Sequence, residues 1–172
     1  MNGSGRSMAP PTGWTMVPNT DQFNGTAART HAWYRLAGPS EPASYLFTET
    51  GGSAYDMSGG IIAITGANQS FPINASGGQN NGTVMATPVP APSITTTVAN
   101  TLLVYGGACN VGITFTPPVG MSEQWDRSSS GQYRVTTETA TQEFSGPGAT
   151  GTRTATASGA CKSDGILIAV AP

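Results

Sequence analysis

The chain is short of charge. Charged residues make up 9% of its 172 positions, where an average globular domain carries roughly a quarter. Seven basic residues against nine acidic ones leave a net charge of -2, and Lys162 is the only lysine. With no basic stripe to neutralise phosphates, nucleic acid is not an expected partner. No apolar run approaches the roughly 18 residues that span a bilayer, and the opening "MNGSGRSMAPP" lacks the apolar core of a secretory signal, so no membrane insertion is expected.

Histidine and cysteine are almost missing as well. His31 is the only histidine, and Cys109 and Cys161 are the only cysteines. That is too few for a Cys/His metal cage. A disulfide or two buried thiols are the states open to the pair. The disulfide is favoured, because each cysteine borders a strand pattern and both strands can end on one side of the fold. Nor is there a sustained i, i+3, i+4 apolar pattern, and 23 Gly with 13 Pro interrupt the chain too often for long helices.

What remains is Thr, Ser, Asn, Val, Ile and aromatic residues in short runs between turn residues, the signature of an all-β sandwich or barrel. The expected architecture is a single-domain, two-sheet β-sandwich, jelly-roll-like, with about ten short strands. Residues 1–11 read as an extended Pro-rich arm and residues 12–172 as the sandwich domain.

Strand patterns fall at 13–17, 29–37, 44–50, 112–118, 121–127, 132–144, 151–158 and 165–172. In 29–37, Ala32, Tyr34 and Leu36 share one face while His31, Trp33 and Arg35 share the other. The run "GGIIAITGA" (59–67) is apolar throughout and reads as a central strand covered on both faces, as does "ILIAV" (166–170). Between 68 and 92 the chain turns polar and rich in Gly and Pro, which suggests a long functional or interface loop, or one hiding a short strand near 83–86. "SITTTVANTLLVYGGAC" (93–109) then reads as a hairpin with its tight turn at Ala99, Asn100 and Thr101.

Catalytic chemistry finds little purchase. A serine nucleophile needs a nearby base, and His31 is the only histidine on offer; its plainer reading is an outward strand residue beside Trp33 and Arg35. The serines of "GGSAYDMSGG" do not have nucleophile-elbow spacing. Glu138 and Glu143 lie five apart, and so on opposite faces of an unbroken strand, where they cannot flank one glycosidic bond. Glu123 and Asp126 meet the same objection. All these acids read as solvated side chains. Asp56, Asp126 and Asp164 stand singly in expected loops, which gives no calcium motif. Neither a cofactor, a metal nor a catalytic residue is assigned. The triplets at Asn2, Asn24, Asn68, Asn74 and Asn81 have the form of glycosylation acceptors, which a chain this rich in Asn, Ser and Thr produces by chance.

Aromatics offer the best binding chemistry, because sugars stack on exposed rings while polar neighbours bond their hydroxyls. Candidate contacts for a glycan or a protein partner are Trp33 with His31 and Arg35, and Trp125 with Arg127 and Tyr133. "MSEQWDR" (121–127) bears on the second group. If Met121 and Trp125 both face the core, Glu123 between them points inward too, with Arg134 as a candidate partner, unless a β-bulge turns it out.

In order, "PPTGWTMV", "AWYRLAGPSEPASYLFT", "GGIIAITGA", "PSITTTVANTLLVYGGA", "ITFTPPVGMSEQWD" and "GATGTRTATAS" resemble a β-sandwich module that recurs in tailed-phage structural proteins and in secreted or surface bacterial proteins. The resemblance runs over 11–172. It implies a jelly-roll-like sandwich used for assembly or adhesion and carries no catalytic motif. The expectation is therefore a non-enzymatic structural protein of a phage virion or similar extracellular assembly (a capsid decoration, head-fibre or tail subunit), partnered by copies of itself or other assembly proteins. The alternative is a carbohydrate-binding module of a secreted or surface protein, with cell-surface polysaccharide as partner. Either role places the protein in a virion or outside the cell.

Overall fold

A computed structural model describes residues 7–25, 28–51 and 56–172. The chain is all-β, with sixteen strands among the described residues. Nine are pairs or triplets: β1 (Ser7–Ala9), β2 (Thr15–Met16), β3 (Gln22–Phe23), β4 (Arg29–Thr30), β5 (Trp33–Tyr34), β6 (Thr48–Thr50), β9 (Thr95–Thr96), β11 (Phe115–Thr116) and β14 (Gly148–Ala149). The longer ones are β7 (Ile73–Asn80), β8 (Ala86–Ala91), β10 (Thr101–Cys109), β12 (Ser122–Ser128), β13 (Thr136–Phe144), β15 (Arg153–Cys161) and β16 (Ser163–Val170).

Two antiparallel sheets face one another. One has the order β12-β13-β10-β16-β7 and the other β11-β15-β8. Between them Leu103, Tyr105, Ala140, Leu167 and Ala169 of the larger sheet meet Val89, Ala91, Ala155 and Ala157 of the smaller. The bulk of Leu103, Tyr105 and Leu167 on one wall is matched by the small Ala91, Ala155 and Ala157 on the other, as close packing requires. The sheets approach closely at Gly165, where a Cβ would run into the carbonyl oxygen of Pro90. Cys109 at the end of β10 and Cys161 at the end of β15 form a disulfide that ties the two sheets together.

The larger sheet is covered on its other face too. Ile166, Ile168 and Val170 of β16 point away from the inter-sheet core and pack with Val17, Ala32, Tyr34 and Ala67. The sheet is thus the middle of three layers, the third being the chain before β7. This explains why every residue of β16 is buried, whereas β15 alternates Ala155 and Ala157 inward with Thr154, Thr156 and Ser158 outward. The 166–170 run is a central strand, as expected. The 59–67 run is not. It has no regular structure, and Ile61 and Ile64 are exposed. The interior places belong to β13, β10 and β16, and an apolar run laid along a layer reads in sequence like a strand buried inside a sheet.

The expected loop at 68–92 contains two long strands, β7 and β8, and of the short strand expected at 83–86 only Ala86, where β8 begins, is in a strand. β7 gives no strand signal because its sequence, INASGGQN, is polar. Its polar groups are used: Asn74 Nδ2 donates to Thr97 Oγ1, Ser76 Oγ to Pro18 O, and Asn80 Nδ2 to Phe23 O. β8 carries Pro88 and Pro90, which a central strand would reject, but it is the edge of its sheet. There Pro has no inward N–H to lose and leaves no outward donor for another chain.

The 29–37 strand is broken into β4, paired with β3, and β5, paired with β2; Leu36 is exposed and does not share the buried face of Ala32 and Tyr34. Asn100 adopts a left-handed turn conformation, φ 57°, as a tight turn requires. It closes no hairpin, because β9 pairs with β14 and β10 with β13 and β16. Of the arm, residues 1–6 lie outside the described residues, as does Asn2, and Ser7–Ala9 pair with β6. Ser53 of the glycine-rich stretch and Thr26 of the Asn24 triplet lie outside them also.

Candidate functional site

The layer before β7 does not lie flush on the sheet. Between them is a cavity of about 520 Å³, within the roughly 300–1,000 Å³ usual for small-molecule sites. Its floor is Val104 and Gly106 of β10, Ile166 and Ile168 of β16, and Thr137 and Thr139 of β13. The chain's three tryptophans, Trp14, Trp33 and Trp125, and its only histidine, His31, all line it.

The rings on one wall form a connected series. Tyr45 meets Trp14 edge to face at 5.1 Å, Trp14 meets Phe47 at 5.3 Å, Phe47 meets Trp33 at 5.5 Å, and Trp33 meets His31 at 4.9 Å. Aromatic pairs at these distances add attraction beyond buried area. On β12, a register shift between Glu123 and Trp125 marks a β-bulge. Met121 therefore reaches the inter-sheet core while Trp125 turns to the cavity. The bulge also leaves Glu123 exposed, and no ion pair joins it to Arg134. Trp125 packs on Gly60, and Ser58 fixes that segment by donating to Arg127 O at 2.6 Å and meeting Thr137 Oγ1 at 3.1 Å.

His31 is not the outward residue expected. Its side chain is only 2% exposed. Nδ1 lies 3.4 Å from Asp21 Oδ1, and neither ring nitrogen has a hydrogen-bond partner. Burial pulls its pKa down to about 4, with the Asp21 charge opposing, so the imidazole is neutral at pH 7. Asp21 itself is held by Arg29, which donates through Nε and Nη2 at 2.8 and 2.7 Å and keeps the carboxyl below its ordinary range. The indole N–H groups of Trp14 and Trp125 are likewise buried without partners. A buried polar group left unpaired costs about 1–3 kcal/mol, and here such groups cluster around one cavity.

The structure thus brings together His31, Trp33 and Trp125 from the two expected groups. The remaining candidates do not line the cavity. Arg35 bonds Glu41 at 3.2 Å and lies over the Tyr45 ring, while Arg127 and Tyr133 are exposed. Trp14, Tyr45 and Phe47 were missed, although the density of rings between residues 14 and 47 was a signal for them.

The acids need correction as well. Glu138 is not solvated: it is 1% exposed and neither carboxyl oxygen has a partner. Burial, then the charges of Glu123 and Asp126, raise its pKa to about 8. Glu143 does lie on the opposite face, since β13 is unbroken. Asp126 is on β12, where its Oδ2 accepts the Phe115 N–H at 2.8 Å. Asp164 is on β16 rather than in a loop, fully buried, with Thr30 Oγ1 donating to Oδ2 at 3.3 Å. Burial raises its pKa to about 7 against that bond. Among the described residues no three His, Cys, Asp or Glu side chains gather as a metal site requires.

A disulfide between the sheets is consistent with an extracellular protein. Comparison of the chain with known protein families, curated proteins and solved structures finds no match, which leaves the cavity and its surroundings as the ground for a functional reading.

Proposed function

We propose that the chain is a non-enzymatic structural protein of a virion or similar extracellular assembly, a capsid decoration, head-fibre or tail subunit that packs against copies of itself or neighbouring proteins. One observation carries this reading: large apolar side chains of the layer before β7 face solvent around the cavity, among them Leu46 at 79% exposure, Ile61 at 55% and Met57. Singly exposed apolar residues need no explanation, but a contiguous group of them marks an interaction surface. Covering such a side chain yields about 1.5–3 kcal/mol. The low charge of the chain supports the same role, since little opposes close packing of copies.

The carbohydrate-binding alternative draws support from Trp33 and Trp125 lining one cavity. It is the weaker reading, because Arg35, Arg127 and Tyr133, which would bond sugar hydroxyls, lie outside that lining. Hydrogen exchange of the purified chain at low and high concentration tests the assembly reading. Slower exchange in 57–64 at high concentration is expected; exchange there independent of concentration, also in the presence of the parent particle, contradicts it.

A further inference from the structure

The cavity has a chemistry that association of copies does not require. We infer that it is a binding site for an uncharged, largely apolar ring-shaped molecule carrying a hydrogen-bond acceptor. The inference goes beyond the assembly role and stands on its own observations. Two kinds of wall define the ligand. Trp14, Trp33, Tyr45, Phe47 and Trp125 supply faces and edges for a planar ring system, and Val104, Ile166 and Ile168 supply an aliphatic floor. Gly106 keeps that floor low, since a Cβ there would stand 2.8 Å from Ile166 Cγ1.

Charge is matched out. Arg29 is engaged by Asp21, and burial keeps His31 and the Glu138 carboxyl, which also belongs to the lining, mostly uncharged at pH 7. A ligand with a net charge would have to leave water for a site that offers it no counter-ion. The hydroxyls of Thr137 and Thr139 on the floor are instead neutral donors suited to a carbonyl, ether or hydroxyl oxygen. A free sugar, with hydroxyls all around its ring, would leave most of them unpaired against these apolar walls.

The test uses 6-propionyl-2-(dimethylamino)naphthalene, an uncharged fused ring with a carbonyl acceptor, titrated into the full chain. Because every tryptophan lines the cavity, one bound naphthalene quenches nearly the whole tryptophan emission. The expected result is saturable quenching at one probe per chain. Thr139→Phe, which fills the floor, weakens binding at least about tenfold, and Trp125→Phe, which shrinks the ring face offered to the ligand, weakens it about three- to tenfold. Phe71→Ser, at an exposed site outside the cavity lining, leaves affinity unchanged. Should Thr139→Phe fail to keep the native thermal midpoint, Trp125→Phe and Phe71→Ser decide. Quenching that does not saturate, equal weakening by Phe71→Ser, or no weakening by the cavity variants overturns the inference. Displacement of the probe by neutral oligosaccharides overturns the apolar class. These outcomes are read on the monomeric chain at low concentration, so they are distinguishable from failure of the assembly reading.

Discussion

Trp125 and Gly60 are in such close contact that a Cβ on the glycine would stand 2.5 Å from the indole Cε2. A residue of the sheet edge and a residue of the overlying layer thus fix each other, and with them one side of the cavity. Gly60→Ala should force the segment around it off the tryptophan, at a cost of about 1–3 kcal/mol, the range for overpacking. Urea unfolding followed by tryptophan emission measures it. A midpoint equal to that of the native chain would show that the segment does not rest on Trp125.

The Cys109–Cys161 bridge closes a separation of 52 residues between the two sheets. Chain-entropy reasoning puts its contribution at up to about 4 kcal/mol. The Cys109→Ala/Cys161→Ala double variant should therefore lose about 2–4 kcal/mol in denaturant unfolding. The native chain in strong reductant should approach the same value.

Two buried carboxyls make stability fall as pH rises. Glu138 and Asp164 have folded pKa values of about 8 and about 7, raised chiefly by burial. The native state therefore holds more protons than the unfolded one. Their stabilising share is complete below the ordinary carboxylate range near pH 4 and is lost as pH rises through 7 and 8. His31 opposes this only between its ordinary value near 6.5 and its folded value of about 4, where the unfolded chain takes up the proton first. The window from pH 6.5 to 8.5 isolates the carboxyls. Urea midpoints should decline across it, and Glu138→Gln should flatten the decline. A midpoint that is constant or rises over that window in the native chain would contradict the burial of these groups.

Close approach of the two sheets at Gly165 gives a further test. Gly165→Ala places a methyl group against the Pro90 carbonyl, and its cost should reach about 3 kcal/mol or more. Ala157→Ser is a useful comparison: it puts a buried hydroxyl on the opposing wall, so its loss should be nearer 1–2 kcal/mol. Thermal unfolding of both variants ranks them.

Strands that alternate cleanly or are apolar on both faces were legible in the sequence. β10, β13, β15 and β16 lie where Thr, Val, Ile and Ala patterns put them, because their side chains face a core. β7 was illegible for a physical reason: Ser76 and Asn80 bond backbone carbonyls of the overlying layer and Asn74 bonds Thr97, and a layer leaves no periodic trace in the strand it covers. The 59–67 run was misread for the converse reason, since apolar content does not say whether a segment lies in a sheet or on one. Half of the cavity could be read from Trp33, His31 and Trp125. The meeting of those two groups could not, because it depends on the bulge before Trp125, which sends that side chain to the face opposite Met121.

Whether a neighbouring subunit covers the apolar surface around the cavity is read from sedimentation velocity of the purified chain over a wide concentration range, beside the Leu46→Asp/Ile61→Asp variant. The native chain is expected to sediment as larger species with rising concentration, while the variant stays monomeric with an unchanged thermal midpoint. A native chain that remains monomeric throughout and does not bind its parent particle, or a variant that associates as the native chain does, would contradict it.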